Sequence, residues 1–168
     1  MSTQTVPALH LDHERPGDGL AIEALHEFAF GPGRYARTAW QMRDGVAPAP
    51  GLSFVMRDSG GMMLGSVRYT PVRVGAVHAL MLGPLAVVPR RQRNGIGLKL
   101  MEASLEAARA HGHALVLLVG DEAYYRKAGF ARVPGGRITL PGPVDPARLL
   151  YLELRAGAFD GVQGMVRV

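Results

Sequence analysis

The chain has 168 residues, 48% of them apolar and 20% charged, a balance that suits one folded domain spanning 1–168 and excludes disorder. Cysteine is absent, which removes disulfides and thiolate metal sites and is compatible with a reducing compartment. Lys and Arg number 19 against 14 Asp and Glu, a net charge of +5. No uncharged apolar run is long enough for a membrane span, and the first residues lack the basic and apolar regions of a signal peptide, so a cytoplasmic protein is expected.

In chain order, Thr5 to Asp12 suggests a first strand. Asp18 is a candidate cap for a helix with Ile22, Leu25, Phe28 and Ala29 on one face, ending at Gly31. Gly31-Pro32-Gly33 is a hinge, and Arg34 to Arg43 reads as a short second helix carrying Tyr35, Trp40 and Met42. Pro48 and Pro50 mark a loop. Ser53 to Arg57 and Met62 to Val74 read as strands joined by a hairpin turn at Ser59-Gly60-Gly61, and Ala76 to Val88 as a central strand. Gly95 to Ala110 sets Leu100, Met101, Ser104, Leu105 and Ala108 on one helical stripe, with Gly112 as its C-terminal glycine. Ala114 to Val119 is an apolar strand covered on both faces. Glu122 to Lys127 reads as a short helix, Phe130 to Val133 and Leu149 to Arg155 as strands, and Pro134 to Pro146 as a surface loop. Strands alternating with helices make this an α/β chain.

The most informative stretch is Leu82 to Gly97, LGPLAVVPRRQRNGIG. A strand breaks at Pro89, turns basic through Arg90, Arg91 and Arg93, and ends in Gly95-Ile96-Gly97 where a helix begins. First-turn N–H groups have no intrahelical partner and the helix dipole puts partial positive charge there, so the pattern is suited to gripping phosphates. Glycines let backbone approach an anion without a Cβ in the way. A dinucleotide fingerprint would need glycine where Leu100 stands, and a Walker loop would need Lys where Leu98 stands.

Gln92-Arg93-Asn94-Gly95-Ile96-Gly97 resembles the acetyl-CoA signature of the GNAT N-acetyltransferase superfamily, and Ala123-Tyr124-Tyr125-Arg126-Lys127-Ala128-Gly129-Phe130 its downstream tyrosine–glycine–phenylalanine motif. With GDEAYY and the segment from Pro141 to Gly164, the chain is similar to the YhbS-like branch of small bacterial members. The resemblance implies a mixed central sheet with splayed central strands and flanking helices. It implies acetyl-CoA as cosubstrate, held by Leu85, Ala86, Val87, Arg91, Gln92, Arg93, Asn94, Gly95, Ile96, Gly97 and Tyr125. A primary amine would attack the thioester directly in a ternary complex. Backbone N–H donors from Leu85 to Val87 would meet the developing oxyanion, and Tyr125 would return a proton to the departing thiolate.

Two positions depart from that pattern. Leu118 stands where many relatives have an Asn that holds the pantetheine, and the strand ALVLLV has no ionisable group to act as base. Asp121 is read first as the cap of the helix at Ala123. His78 is a candidate proton relay through water, although a lone strand histidine is more often exposed or a satisfied core residue. Glu23 and Glu27, one turn apart, form a solvated acidic pair or an attraction for a cationic amine. His10, His13, His111 and His113 lack a metal-ligand framework, and no metal is expected. A second reading is a GNAT-like module that binds acyl-CoA with little turnover. No aromatic–basic interleaving or recognition helix supports nucleic-acid binding; a small-molecule or protein amine is the expected partner, and a homodimer is the expectation by analogy.

Overall fold

The structure is a computed structural model that describes residues 8–91 and 94–168. In chain order the strands are β1 (Leu9–His13), β2 (Phe54–Asp58), β3 (Met63–Val74), β4 (Val77–Val87), β5 (Leu115–Val119), β6 (Ala131–Arg132), β7 (Ile138–Thr139), β8 (Leu149–Glu153) and β9 (Gly164–Arg167). The α-helices are α1 (Gly19–Phe30), α2 (Thr38–Arg43), α3 (Ile96–Ala110) and α4 (Glu122–Tyr125).

Alternating apolar residues and glycine turns make β2, β3 and β4 an antiparallel meander. The β2–β3 turn is fastened by Asp58, whose Oδ1 accepts from the N–H groups of Gly60 and Met62 at 2.9 Å each. β1 adds to the outer edge of β2, while β4 pairs in parallel with β5, which continues antiparallel through β8 to β6. The result is the mixed sheet with flanking helices that the family resemblance implied.

The α3 stripe of Leu100, Met101, Ser104, Leu105 and Ala108 is buried against Leu64, Val67, Tyr69, Leu80 and Leu82 on one face of the sheet. Each fully buried large side chain there is worth about 1.5–3 kcal/mol relative to exposure. Its one polar member is satisfied: the hydroxyls of Ser104 and Tyr69 lie 2.8 Å apart, and Ser104 also reaches the Met101 carbonyl at 3.0 Å. The opposite face gathers Met42 of α2 with Val72, Met81, Leu117, Phe159 and Val166.

Several local expectations change. The buried residues of α1 are Ile22, Leu25 and His26, and Phe28 is exposed. The stripe Ile22–Leu25–His26 has the i, i+3, i+4 spacing of one helix face, which leaves Phe28 on another. The single helix expected over Arg34 to Arg43 is a 3₁₀ turn, Pro32–Ala36, followed by α2, with Arg37 extended between them. Asp18 does not cap α1 with its side chain; its carboxylate instead accepts from Arg57 at 2.6 Å and from the Arg15 N–H at 2.7 Å. The loop 134–146 contains β7, paired in parallel with β9, a strand without a sequence expectation. Asp121 does cap α4, accepting from the Ala123 N–H at 3.3 Å.

Candidate active site

The sheet opens where β4 and β5 part company. Their parallel ladder covers Leu80 with Val116 and Met81 with Leu117. Beyond it β4 follows β3 as far as Val87, while β5 follows β8. The divergence coincides with a bulge in β4. Val67 pairs with Leu85 but Tyr69 pairs with Leu82, so Gly83 and Pro84 together lie opposite Arg68. Gly83 has φ +130, a region that favours glycine, and a Cβ there would run into the Arg43 guanidinium.

A cavity of about 540 Å³ fills the opening, with Leu82 to Leu85 on one side, Val119 and Tyr125 on the other, and Trp40 and Arg43 of α2 among its walls. Trp40, Arg43, Gly83 and Pro84 also line an adjoining hollow of about 250 Å³ that reaches Glu23, His26 and Arg68. Arg43 Nη2 donates to the Leu82 carbonyl at 3.3 Å. Burial pushes its guanidinium down to about 10, so it stays charged at neutral pH.

Tyr125 projects into this opening from α4. Gly120 makes room for it, since a Cβ at Gly120 would collide with the Tyr125 ring. The ring meets Tyr124 edge-on at 5.0 Å and Phe130 at 6.0 Å. Burial pushes its phenol up to about 12, with a smaller upward push from Tyr124 and a partial return from Arg43 and Arg148. The hydroxyl therefore keeps its proton throughout the ordinary pH range.

The glycine-punctuated turn meets α4 through Tyr124, the neighbour of Tyr125. Arg91 closes the 3₁₀ turn Pro89–Arg91, and its carbonyl accepts from the Asn94 N–H at 3.2 Å. Gly95 is the N-cap of α3 at φ +73, and among the described residues nothing lies within 4 Å of where its Cβ would stand. Ile96 turns its side chain into the core, so only its backbone can serve a ligand. A Cβ at Gly97 would collide with the Tyr124 hydroxyl. Gln92 and Arg93 lie outside the described residues.

The structure does not bring His78 to this place. It sits near the start of β4, exposed, beside a separate hollow that includes Gly112 and His113, and six strand residues separate it from Leu85, a span of about 20 Å. Leu118 is a core residue. The acidic pair of α1 divides: Glu27 binds Arg34 at 2.9 Å, whereas Glu23 faces His26 at 3.9 Å.

Gly83, Arg43, Gly120 and His26 belong to this region and were not singled out as site residues from sequence. His26 is 2% exposed and neither ring nitrogen has a hydrogen-bond partner. Burial, followed by the charges of Arg68, Arg34 and Arg43, pushes it down to about 4. The unfolded imidazole takes up a proton near 6.5 and the folded one only near 4, so His26 supports the fold above pH 6.5 and that support is lost as pH falls toward 4. The difference amounts to about 3 kcal/mol. In urea titrations of wild type against His26→Phe, the stability difference is expected to move by that amount in favour of the variant between pH 7 and 4. A constant difference would show that His26 protonates equally well in the fold.

A mixed sheet opened between two parallel central strands, with a glycine-punctuated helix start and a half-buried tyrosine beside the opening, is the N-acetyltransferase architecture that the sequence resemblance implied. Residues 20–130 match the Acetyltransferase (GNAT) family; the chain belongs to this family of N-acetyltransferases. It is 28% identical over 156 residues to the N-acetyltransferase YhbS of Escherichia coli K12, covering 91% of this chain and 92% of that one. The crystal structure of Escherichia coli YhbS in complex with CoA superposes with a TM-score of 0.82 at 26% identity, over 99% of this chain and 93% of the other. A GNAT family acetyltransferase from Brucella melitensis in complex with acetyl-CoA gives a TM-score of 0.73 at 29% identity, over 97% of both chains.

Proposed function

We propose that this chain transfers an acetyl group from acetyl-CoA to a primary amine by direct attack in a ternary complex, as one catalytic unit spanning 1–168. The observation that carries the reading is the coincidence of the β4–β5 opening, its cavity, and Tyr125 on the far wall. The relatives with bound CoA or acetyl-CoA support the choice of cosubstrate.

The residues fit such a ligand. The open space over Gly95 and the unpaired N–H groups of the first turn of α3 suit its phosphates, with Arg91 and Asn94 on the approach; Gln92 and Arg93, between them in sequence, are assigned to the same ligand from the motif. Leu85, Ala86 and Val87 lie beyond the β5 ladder, along the path of an extended arm toward the cavity. When bound, acetyl-CoA supplies an activated acyl carbon.

At that carbon the acceptor nitrogen forms a C–N bond as the C–S bond breaks. Backbone donors from Leu85 to Val87 meet the charge gathering on the carbonyl oxygen, a contribution of about 3 kcal/mol where one such donor is well placed. Tyr125 gives its hydroxyl proton to the leaving sulfur and recovers one from the amine through solvent. His78, exposed near the other end of β4, is outside this scheme. The fold contains no helix long and apolar enough to cross a membrane among the described residues, and the reaction is assigned to the cytoplasm.

The deciding experiment follows free thiol from acetyl-CoA with a broad panel of amines. Amine-dependent release identifies the transferase and its acceptor class together. Tight CoA binding with background hydrolysis across the whole panel would favour the module that binds acyl-CoA with little turnover, a reading to which Leu118 and the uncharged β5 lend weight.

A further inference from the structure

Four arginines besides Arg43 bear on how this fold treats a sheltered guanidinium. Arg34 has the Glu27 carboxylate at 2.9 Å, Arg57 has Asp18 at 2.6 Å, and Arg68 has Glu14 at 2.6 Å. Arg137 is met by the carbonyls of Val162 and Phe159. Arg43 has one long contact, to the Leu82 carbonyl at 3.3 Å, and its buried Nε has no hydrogen-bond partner. No carboxylate among the described residues lies within ion-pair distance of it. A guanidinium withdrawn from water without a counter-charge is costly, and it presents five N–H donors in a fork that matches a carboxylate.

The larger cavity carries the same sign, while the adjoining hollow sets Glu23 and Asp44 against Arg43 and Arg68. The charged residues lining the larger cavity are Arg37, Arg43 and Arg148 against Asp145, and Asp145 already caps a turn by accepting from the Ala147 N–H at 3.0 Å. Arg43 lines both the larger cavity and the adjoining hollow, beside the strand segment where the acyl group is placed in the reading above. An acyl thioester is uncharged and offers no counter-charge, so a charged partner has to arrive with the acceptor.

From this lone cation at the junction of the two hollows, we infer that the acceptor is an amine that also carries a carboxylate, and that Arg43 binds the carboxylate. The inference rests on the acetyl-transfer reading and narrows it. The cationic lining of the larger cavity disfavours a polyamine, which would leave Arg43 without a counter-charge even where Glu23 or Asp44 of the adjoining hollow met its second ammonium. It also favours the neutral form of the amine, which is the form that attacks. Phe30 and Trp40 on the same wall offer an apolar surface to the rest of the acceptor.

The test uses the full chain loaded with CoA. Calorimetry compares N-acetyl derivatives of glycine, β-alanine, leucine and phenylalanine with the corresponding primary amides. Thiol release compares the parent amino acids with their amides and with spermidine. The acids are expected to bind roughly tenfold to a hundredfold tighter than the amides, the range for a hydrogen-bonded charge. In Arg43→Met that preference should disappear, and Arg43→Lys should restore part of it. Equal affinity of acids and amides in wild type overturns the inference without needing a variant, as does a preference that survives in Arg43→Met. The two readings fail separately. Amides or spermidine acetylated in place of acids would remove the carboxylate site and leave acetyl transfer standing. Tight acid binding with no thiol release from any amine would do the reverse.

Discussion

Tyr125→Phe is expected to lower kcat by about 10²–10⁴-fold while leaving CoA affinity near that of wild type. The substitution removes one hydroxyl and keeps the ring, so the edge-on contacts with Tyr124 and Phe130 and the space over Gly120 persist. The raised phenol at about 12 defines the pH profile as well. Because the donor stays protonated, kcat in wild type should climb with pH as the amine loses its proton and show no alkaline fall below pH 10. Burial that raises the phenol also raises the basicity of a thiolate leaving beside it, so proton donor and acceptor remain matched. Equal turnover in Tyr125→Phe and wild type would remove the hydroxyl from the reaction.

Gly95→Val is expected to weaken CoA binding by about a hundredfold or more in calorimetry, with a cooperative melt retained. Two effects combine. At φ +73 a β-branched residue is strained by roughly 1–2 kcal/mol, and its side chain would occupy the open space through which an anion reaches the first-turn N–H groups. Since no atom of the described residues lies within 4 Å of that Cβ position, overpacking of the core cannot account for the loss. Gly95→Ala, with a smaller intrusion, should fall between the two. Unchanged affinity in Gly95→Val would place the phosphates elsewhere.

What could be read in advance follows from how local each signal is. The α3 stripe, the Gly60–Gly61 hairpin and the Asp121 cap depend on residues a few positions apart, and their geometry is written in periodicity and turn chemistry. The glycine pattern at α3 was legible for the same reason. Arg43 shows the opposite case. Near the end of a short helix it resembles an ordinary solvated cation, and its contact with Leu82 joins residues 39 positions apart. His26 was hidden by Phe28, because two candidate faces of α1 differ little in sequence and the sheet decides which is covered. Pairing of β7 with β9 joins two short segments lacking alternation, one of them begun by Gly164. Gly83 and Gly120 matter through the side chains they make room for, a property no local pattern records.

Tyr124 and Tyr125 are neighbours in the chain, yet one presses on Gly97 at the start of α3 and the other reaches the cavity wall. Helix α4, only four residues long, thereby behaves as a gauge with two fixed marks, one at each end of the proposed ligand path. It cannot slide to improve one mark without spoiling the other. Drift at Gly97 or Gly120 is thus coupled: a methyl added at either glycine displaces the gauge, and in the proposed reaction would disturb the gripping of phosphates and the delivery of a proton together.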